Sequence, residues 1–439
     1  MSDLQAERIA AAEAIASPRR IDPLTWVVNR LREPYVQLLA TQLLAGAVAL
    51  AANVMMARAL SPTGRGEVAL MLQIAYLATQ ALLLGTERSF TAECHGATPA
   101  AAVRVYARLL VVPCVLGLLL AIAFAALAPR SIDPAPGLTA LVACYTLVEV
   151  AVLATRAIAV VAGRMSDFLR CRVVDSVLTL GVMAVLYGAD VTHPGAWLCA
   201  YLIAGILPTM AYLVRWLRSP ATPAVTAAQR RLIRREGLTL FPAAVANMAM
   251  LRVDRLALPV LSSTAALGLY ASVATMTELL AWPLRAYADS RLGRWRAEHR
   301  GGGLRSRPLI VAATLYSLVV APLLAGGLYL LIVPVLGERY APARVVVVPL
   351  VAAAGLYAVS RVSLGLLVAR GHGALVSAAE ICGFVVSFAA YVGLIPRYGI
   401  SGAAYGSLLG YGACLLFAVT AGRLAGDRGA EPIEAGRAP

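Results

Sequence analysis

Six arginines lie inside long apolar segments of this sequence, where a charge is costly. They are Arg108, Arg156, Arg252, Arg255, Arg285 and Arg361. An ionised side chain at the centre of a bilayer costs at least about 2.5–3.5 kcal/mol, so such groups usually face a partner or a polar cavity. Arginine stays charged at any working pH, and its planar guanidinium matches a phosphate with two hydrogen bonds. Apart from Arg108, which lies within one turn of the start of its segment, the set therefore predicts an electropositive cavity.

Two carboxylates accompany these arginines at a fixed spacing. Glu149 precedes Arg156 by seven residues, and Glu278 precedes Arg285 by seven. Seven residues make nearly two helical turns, so each pair lies on one helix face about 10 Å apart along the axis. This separation is too long for a direct ion pair within one helix. We interpret the two carboxylates as groups that compensate nearby arginines or take up a coupling cation, with structural pairing between helices as the alternative.

Further polar residues are predicted to line the same cavity or to gate it. The stretch "NMAMLRVDR", residues 247–255, adds two cavity candidates, and the first apolar segment adds two more: Asn247, Asp254, Gln42 and Asn53. Glu87 and Arg88 follow the second apolar segment and are gate candidates. For Asp254 and Arg255 the alternative is a position at the membrane interface, and for Glu87 and Arg88 it is plain anchoring there.

The composition identifies the elements that must position these residues. Of the 439 residues, 60% are hydrophobic and 14% are charged, and the mean hydropathy is +0.77. A soluble domain is about 45–50% apolar and about 25% charged. The chain therefore has too few charges to cover a water-facing surface, which predicts an all-α polytopic membrane protein. Residues 1–33 are charged and contain no uninterrupted apolar region, so no cleavable signal is expected.

A membrane-spanning helix needs about 20 apolar residues, and the sequence contains twelve candidates. They are 35–57, 68–87, 104–127, 137–161, 172–188, 195–216, 237–260, 267–289, 309–336, 345–369, 374–395 and 401–422.

The arginines predict the orientation of these spans, since cytoplasmic loops are enriched in positive charge. All 38 basic residues are arginine, which together with the abundant alanine indicates a bacterial source. With the N-terminus inside, 26 arginines fall on the cytoplasmic side, six on the opposite side and six within spans. This split predicts a multi-pass protein of the bacterial inner membrane with both termini in the cytoplasm. It also accounts for the net charge of +15 without nucleic acid as a partner.

An internal repeat divides the chain into two halves. Leu60-Ser61 and Leu261-Ser262 are 201 residues apart, and Asn53 and Asp254 share that offset. Arg156 and Arg361 match at an offset of 205, as expected for a duplicated unit with small insertions. Six spans per unit return the chain to its starting side, so the halves are parallel repeats with a cavity between them.

The predicted domain organisation follows from the repeat and the spans. It comprises a cytoplasmic N-terminal segment (1–33), an N-lobe with six spans (34–218), a basic cytoplasmic linker (219–236), a C-lobe with six spans (237–422) and a cytoplasmic tail (423–439).

No motif in the sequence indicates an enzyme or a metal site. The seven cysteines and four histidines have no metal-ligand spacing. No Walker loop is present, so ATP is not the direct energy source, and no credible Ser/His/Asp set is found. We therefore expect no cofactor and no catalytic residues; coupling to a proton, to sodium or to the membrane potential stays open.

Three stretches carry a resemblance to a known family. They are "ARALSPTGRGEVAL" (57–70), "RVDRLALPVLSSTAALGLYA" (252–271) and "LIPRYGISGAAYGSLLGYG" (394–412). They resemble the matching segments of bacterial polysaccharide and O-antigen (Wzx-like) flippases, which are members of the multidrug/oligosaccharidyl-lipid/polysaccharide (MOP) exporter superfamily. The likeness covers roughly residues 35–422.

The resemblance implies a V-shaped bundle of two six-helix lobes that moves a polyprenyl-pyrophosphate-linked oligosaccharide outward by alternating access. Its expected partners are that lipid-linked glycan, membrane lipids and other polysaccharide-assembly proteins. Two alternatives remain at this point. A cation-coupled multidrug exporter of the same superfamily should have a cavity dominated by carboxylates. A membrane-integral polysaccharide polymerase or ligase typically has a long outer loop, and every outer loop here is short.

Overall fold

The protein is helical throughout the residues that the computed structural model describes, which are 34–94, 97–127, 136–220 and 226–428. The predicted N-terminal segment and residues 429–439 of the predicted tail lie outside this part. Two candidate site residues, Gln42 on the first helix and Arg88, lie on described backbone, but their side chains are outside the description.

The first half of the chain, which we call the N-lobe, contains seven helices. They are α1 (Pro34–Ala59), α2 (Pro62–Leu83), the short α3 (Thr86–Glu93), α4 (Pro99–Leu127), α5 (Pro136–Val161), α6 (Met165–Gly188) and α7 (Pro194–Leu217).

The second half, the C-lobe, also contains seven α-helices and two 3-10 turns. They are α8 (Ala227–Leu261), α9 (Thr264–Thr277), a 3-10 turn (Glu278–Leu280), α10 (Trp282–Arg300), α11 (Ser306–Leu336), a 3-10 segment (Glu338–Val346), α12 (Val347–Ala369), α13 (Gly373–Tyr398) and α14 (Ile400–Arg428).

These helices account for the twelve predicted spans. Among the described residues, eight helices are long and apolar enough to cross a membrane, and the α9–α10 pair, bent by 46°, makes a ninth. The helices α1, α6 and α8 coincide with the remaining predicted spans. We call the end of the bundle with the turns at 60–61 and 262–263 the outer end. The end with the turns at 84–85 and 301–305 is the inner end.

Several helix boundaries differ from the prediction for local reasons. The predicted span 68–87 is α2, which begins earlier because the Ser61 side chain accepts a hydrogen bond from the Gly64 N–H and Pro62 opens the helix. It ends at Leu83, because Leu84 and Gly85 adopt left-handed backbone conformations. Glu87, expected to close the second helix, therefore lies in the first turn of α3.

The α8 helix starts ten residues before the predicted span. Thr226 and Gln229 form a capping box, in which each side chain bonds the other's backbone N–H. The added turns carry arginines on an exposed face, while Ile233 is fully buried against the N-lobe. A count of apolar residues misses such a segment because only one of its faces is apolar.

The repeated corners, which contain the two Leu-Ser steps, pack against each other at the outer end. A Cβ on Gly66 would collide with the carbonyl oxygen of Thr264, and a Cβ on Gly268 would collide with that of Pro62. The two contacts are equivalent under the repeat, since each glycine meets the residue four positions before its counterpart. Only glycine allows α2 and α9 to approach so closely.

Candidate binding site

A small polar cavity lies in the C-lobe among α8, α9, the 3-10 turn, α10, α12 and α14. Its volume is about 70 Å³, room for only a few water molecules. Five charged residues line it: Arg252, Asp254, Arg255, Glu278 and Arg285. The sequence predicts Glu278 as a charge-compensating or coupling group and the other four as substrate-binding residues of the cavity.

Glu278 holds two arginines of α8 at once. The Nη1 atom of Arg252 lies 3.0 Å from Glu278 Oε1, and Arg255 Nη2 donates to the same oxygen. Arg252 and Arg255 share a helix face because they are three residues apart. Within a lipid-embedded bundle, this shared carboxylate offsets much of the cost of the two buried charges.

Glu278 lies at a break in its helix. The 3-10 turn Glu278–Leu280 separates α9 from α10, and the two helices are bent by 46°. The sequence prediction treated residues 267–289 as one helix, with Glu278 and Arg285 two turns apart on one face. The prediction of one continuous helix was therefore wrong. Pro283, next to the start of α10, disfavours a continuous α-helix because proline lacks the backbone N–H and its ring clashes with the preceding turn. Both side chains nevertheless line the cavity.

Asp254 points into a network of hydroxyl groups rather than toward an arginine side chain. Its Oδ2 accepts a hydrogen bond of 2.6 Å from the Tyr270 hydroxyl, and Oδ1 accepts from the backbone N–H of Arg255. Tyr270 in turn lies 3.2 Å from Ser407, which is 2.9 Å from the Tyr391 hydroxyl. Both oxygens of this buried carboxylate are therefore satisfied within the C-lobe.

Arg252, which is half-buried, and Arg255, which is buried, both keep unused donors. The Nε atoms of Arg252 and Arg255 are buried and have no hydrogen-bond partner among the described residues. Arg285 is exposed, and the structure shows no ion pair for it in the described part of the chain. Buried polar groups are normally hydrogen-bonded, so unsatisfied guanidinium donors beside a cavity favour an acceptor-rich ligand such as an anion.

A tyrosine of the N-lobe meets this cluster. The Arg252 guanidinium carbon lies 5.7 Å from the centre of the Tyr76 ring, within the range of a cation–π contact. Tyr76 lies 6.4 Å from Tyr145 between ring centres, and the Tyr145 hydroxyl donates to Glu149 Oε1 at 2.6 Å. Glu149 has no arginine partner among the described residues. Tyr76 on α2, with Tyr145 and Glu149 on α5, thus forms a chain of polar side chains that leads from the C-lobe arginines into the N-lobe.

Two other predicted cavity residues meet in a separate cluster. The Arg361 Nη2 and Asn247 Nδ2 atoms each lie 3.0 Å from Glu380 Oε1. Arg361 also lies 5.5 Å from the centre of the Tyr357 ring. Sequence reasoning left Glu380 out of the site because it lies close to the start of its span. Glu380 lies 205 residues after Asp175, the same offset that relates Arg156 to Arg361, and this match was the available signal in the sequence.

Asn53 lies at the outer end, where the lobes touch. Its Nδ2 donates to the Ser272 carbonyl at 2.9 Å, and its Oδ1 accepts from Arg65 Nε and Nη2 at 3.1 and 2.9 Å. Arg65 is only 4% exposed, although the sequence analysis assigned it to an outer loop. Its Nη1 atom has no partner among the described residues. The pair joins α1 and α2 to α9.

The inner end is closed by a different contact. The Ser89 hydroxyl of α3 donates to the Ile233 carbonyl of α8 at 2.9 Å, and Gly85 lies directly against Gly237. Glu87 is half-buried on α3 beside this contact, and Arg156 on α5 is half-buried without a hydrogen bond or ion pair among the described residues. The lobes therefore touch at both ends.

Comparisons with known proteins identify the fold. No protein-family model matches the sequence, and no curated protein matches it either. Among solved structures, an inward-facing multidrug resistance MATE family transporter of the MOP superfamily has a TM-score of 0.67 at 15% identity, covering 92% of this chain and 99% of that one. The lipid II flippase MurJ, in an inward closed conformation, has a TM-score of 0.65 at 11% identity, covering 88% and 87%.

A third similar structure is a MOP superfamily transporter from Pyrococcus furiosus, with a TM-score of 0.59 at 14% identity, covering 91% of this chain and 96% of that one. Its binding pocket is described as having reverse polarity, which suggests a different function for that protein. The chain therefore has the fold of MATE and MOP superfamily transporters, which confirms the predicted fold class. At identities of 11–15% the likeness establishes the fold alone.

Proposed function

We propose that this protein is a MOP superfamily flippase that moves a polyprenyl-pyrophosphate-linked oligosaccharide across the bacterial inner membrane for surface polysaccharide assembly. The observation that carries the proposal is the pair of unsatisfied, buried guanidinium donors on Arg252 and Arg255, with the exposed Arg285 lining the same cavity. A pyrophosphate supplies several acceptor oxygens and two or three negative charges, which fit this donor set.

In the proposed binding step, the pyrophosphate displaces Glu278 from the two arginines. Arg252 and Arg255 both bond Glu278 Oε1, so an incoming anion competes with a single carboxylate for both guanidinium groups. We propose that five further residues contact the substrate once the cavity opens: Gln42, Asn53, Arg156, Asn247 and Arg361.

Transport by alternating access requires the lobes to part at one end at a time. The lobes touch through Gly66 and Gly268 at the outer end and through Ser89 and Gly85 at the inner end, so the arrangement described here is closed at both ends. The C-lobe cavity of about 70 Å³ is also far below the roughly 300–1,000 Å³ of ordinary ligand sites. Opening at the inner end would break the Ser89–Ile233 and Gly85–Gly237 contacts. Glu87 and Arg88, next to these contacts, remain the proposed gate.

Coupling is assigned to Glu149. Its carboxylate bonds Tyr145 and has no described arginine partner, unlike Glu278 and Glu380. A carboxylate that is not held by a fixed cation is able to bind a proton or a sodium ion. The proposed setting is the inner membrane with both termini cytoplasmic, and other polysaccharide-assembly proteins are the proposed partners.

The proposal is tested by flipping in proteoliposomes, with a fluorescent polyprenyl-pyrophosphate-linked sugar as the probe and protection from an impermeant quencher as the measure. The test variant is Arg285→Gln, since this exposed arginine is not part of the described ion pairs. The matched control is Arg296→Gln, an exposed arginine further along the same helix. We expect flipping to fall about tenfold in the first variant and to stay unchanged in the second. Equal rates in both would refute the assigned role of the cavity arginines.

The second candidate is a cation-coupled multidrug exporter. The likeness to MATE transporters and the Glu149–Tyr145–Tyr76 path in the N-lobe favour it. A cationic dye in the same proteoliposomes distinguishes the two functions. Dye efflux that is lost in Glu149→Gln, together with no flipping of the lipid-linked sugar, would replace the flippase proposal with this one.

A further inference from the structure

A second cavity lies at the inner end of the C-lobe, away from the central arginine cluster. It has a volume of about 560 Å³ and is bounded by α11, α12 and α14. Its lining combines apolar side chains with two serines and three arginines: Arg307, Arg370 and Arg423. Among the described residues that line it, none is acidic.

Arg370 is fixed at the inner end of this cavity. Its Nη1 donates to the Gly422 carbonyl at 3.0 Å, and its Nη2 donates to the Ser306 hydroxyl at 2.7 Å. The side chain thus ties the end of α12 to α14 and to the start of α11. Both acceptors are neutral, and no carboxylate among the described side chains pairs with it. The guanidinium therefore contributes a full positive charge to the cavity.

Arg307 and Arg423 add two exposed positive charges to the same cavity. They belong to α11 and α14, so the three arginines converge from three helices. The first turn of α11 adds a weaker positive field, because the N–H groups of a first helical turn have no carbonyl partners within the helix. Phosphate oxygens are the acceptors that such a convergence of guanidinium groups fits best.

The apolar part of the cavity runs toward the centre of the bundle. Five apolar residues lie about one turn deeper than the arginine of their own helix: Ile310, Val311, Leu366, Leu367 and Val419. Charged groups at the rim and aliphatic side chains further in match the layout of a phospholipid, whose headgroup lies at the interface and whose acyl chains enter the hydrocarbon. Basic pockets between helices on the cytoplasmic side are known to bind anionic lipid headgroups.

We propose that this cavity is a binding site for an anionic phospholipid of the cytoplasmic leaflet, with the lipid phosphate held by Arg307, Arg370 and Arg423. Such a lipid would brace α11, α12 and α14 together at their inner ends. The site is independent of the central cavity, and its lining shares no residue with it.

The test uses the full-length purified protein and native mass spectrometry with added phosphatidylglycerol. Phosphatidylethanolamine of the same acyl chains is the comparison lipid. We expect phosphatidylglycerol to be retained preferentially and its retention to weaken about thirtyfold in Arg307→Gln/Arg423→Gln, since each arginine near a membrane surface raises the affinity for an anionic lipid about fivefold. Both arginines are exposed, so the substitutions leave packing intact.

The control variant is Arg296→Gln/Arg300→Gln, which removes the same charge from exposed positions of α10 outside the cavity. It should retain phosphatidylglycerol as the unmodified protein does. Equal retention in the two double variants would overturn the site, and so would equal retention of the two lipids. Displacement of the lipid by millimolar inorganic phosphate would assign the site to a free anion and overturn the lipid proposal. Melting temperatures of all variants, measured with and without phosphatidylglycerol, check the result in solution.

Discussion

Gly66 and Gly268 occupy equivalent places in the two halves of the chain, and each lies against the backbone of the other half. Gly66 meets Thr264, and Gly268 meets Pro62, so the contact repeats itself about a pseudo-twofold axis between the lobes. The two copies of the Leu-Ser corner therefore form a single contact that closes the gap between the lobes at the outer end. The next polar contact inward, Asn53 with Ser272, joins the same two halves.

Adding a single methyl group to this closure should loosen the outer end. In Gly66→Ala or Gly268→Ala the new Cβ collides with backbone, which cannot rotate away as a side chain does. We expect a loss of about 1–3 kcal/mol in stability, which is typical of overpacking. The reporter is Ser272→Cys, a fully buried position, in a chain whose seven native cysteines are replaced. Labelling of this cysteine by an impermeant maleimide should rise. Gly181→Ala, where a Cβ meets nothing within 4 Å, should label as the parent does.

Removing the shared carboxylate should destabilise the protein strongly. In Glu278→Gln, Arg252 and Arg255 lose their only ion-pair partner among the described residues. Breaking a fully buried ion pair costs about 3–5 kcal/mol, so this half-buried double pair should cost about 2–3 kcal/mol. The matched control is Glu298→Gln, which breaks the exposed Arg294–Glu298 pair and should cost about 0.2–1 kcal/mol. Thermal unfolding in detergent measures both. Similar melting temperatures for the two variants would show that Glu278 does not compensate the arginines.

The Arg361–Glu380 pair should respond to a double-mutant cycle. Arg361→Gln alone leaves Glu380 with only a neutral donor, Asn247, and should lower stability by about 3–5 kcal/mol. Arg361→Gln/Glu380→Gln replaces both charges with groups that still hydrogen-bond, so most of the loss should be recovered. Flipping is measured in both variants. If the double variant recovers flipping as well as stability, the role of Arg361 is structural. If stability returns and flipping stays low, Arg361 contacts substrate as predicted.

Cys94 should report opening of the inner end. Burial raises the pKa of its thiol above the ordinary value, and Glu93 adds to the shift. Because the thiolate is the reactive form, Cys94 should label slowly at neutral pH and faster as the pH rises. In Gly85→Ala the new Cβ collides with the Gly237 carbonyl, so labelling at a fixed pH should increase. Gly188→Ala, a position with open space around the glycine, is the control in the same single-cysteine chain. Unchanged labelling in Gly85→Ala would argue against α3–α8 as the inner closure.

The sequence predicts the number of spans and the repeat well, because both depend on where apolar residues occur along the chain. It also predicts that Arg252, Arg255 and Glu278 line one cavity, since charges within apolar spans have few stable environments other than a shared polar site. Composition and spacing carry this information without any knowledge of how the helices pack.

The contacts that depend on packing between helices are not predictable in the same way. The sequence assigns Arg65 to a loop, yet it is buried against Asn53 because α2 begins at Pro62, one turn before its most apolar part. Glu380 is close to the start of its span by count, yet it lies opposite Arg361 because α12 and α13 run in opposite directions. Hydropathy along one chain segment does not record which turn of a neighbouring helix lies beside it.

The bend at Glu278 links the shape of the C-lobe to its charge. The carboxylate is presented by a 3-10 turn between two helices that meet at 46°, so straightening that joint would swing the carboxylate away from the α8 arginines. Conversely, breaking the ion pairs of Glu278 with Arg252 and Arg255 would allow the angle between α9 and α10 to change. The joint between α9 and α10 would then hold the closed arrangement while Glu278 is paired and would bend when it is not. A phosphate that replaces the Glu278 carboxylate at the two arginines would thereby cause the C-lobe to change shape.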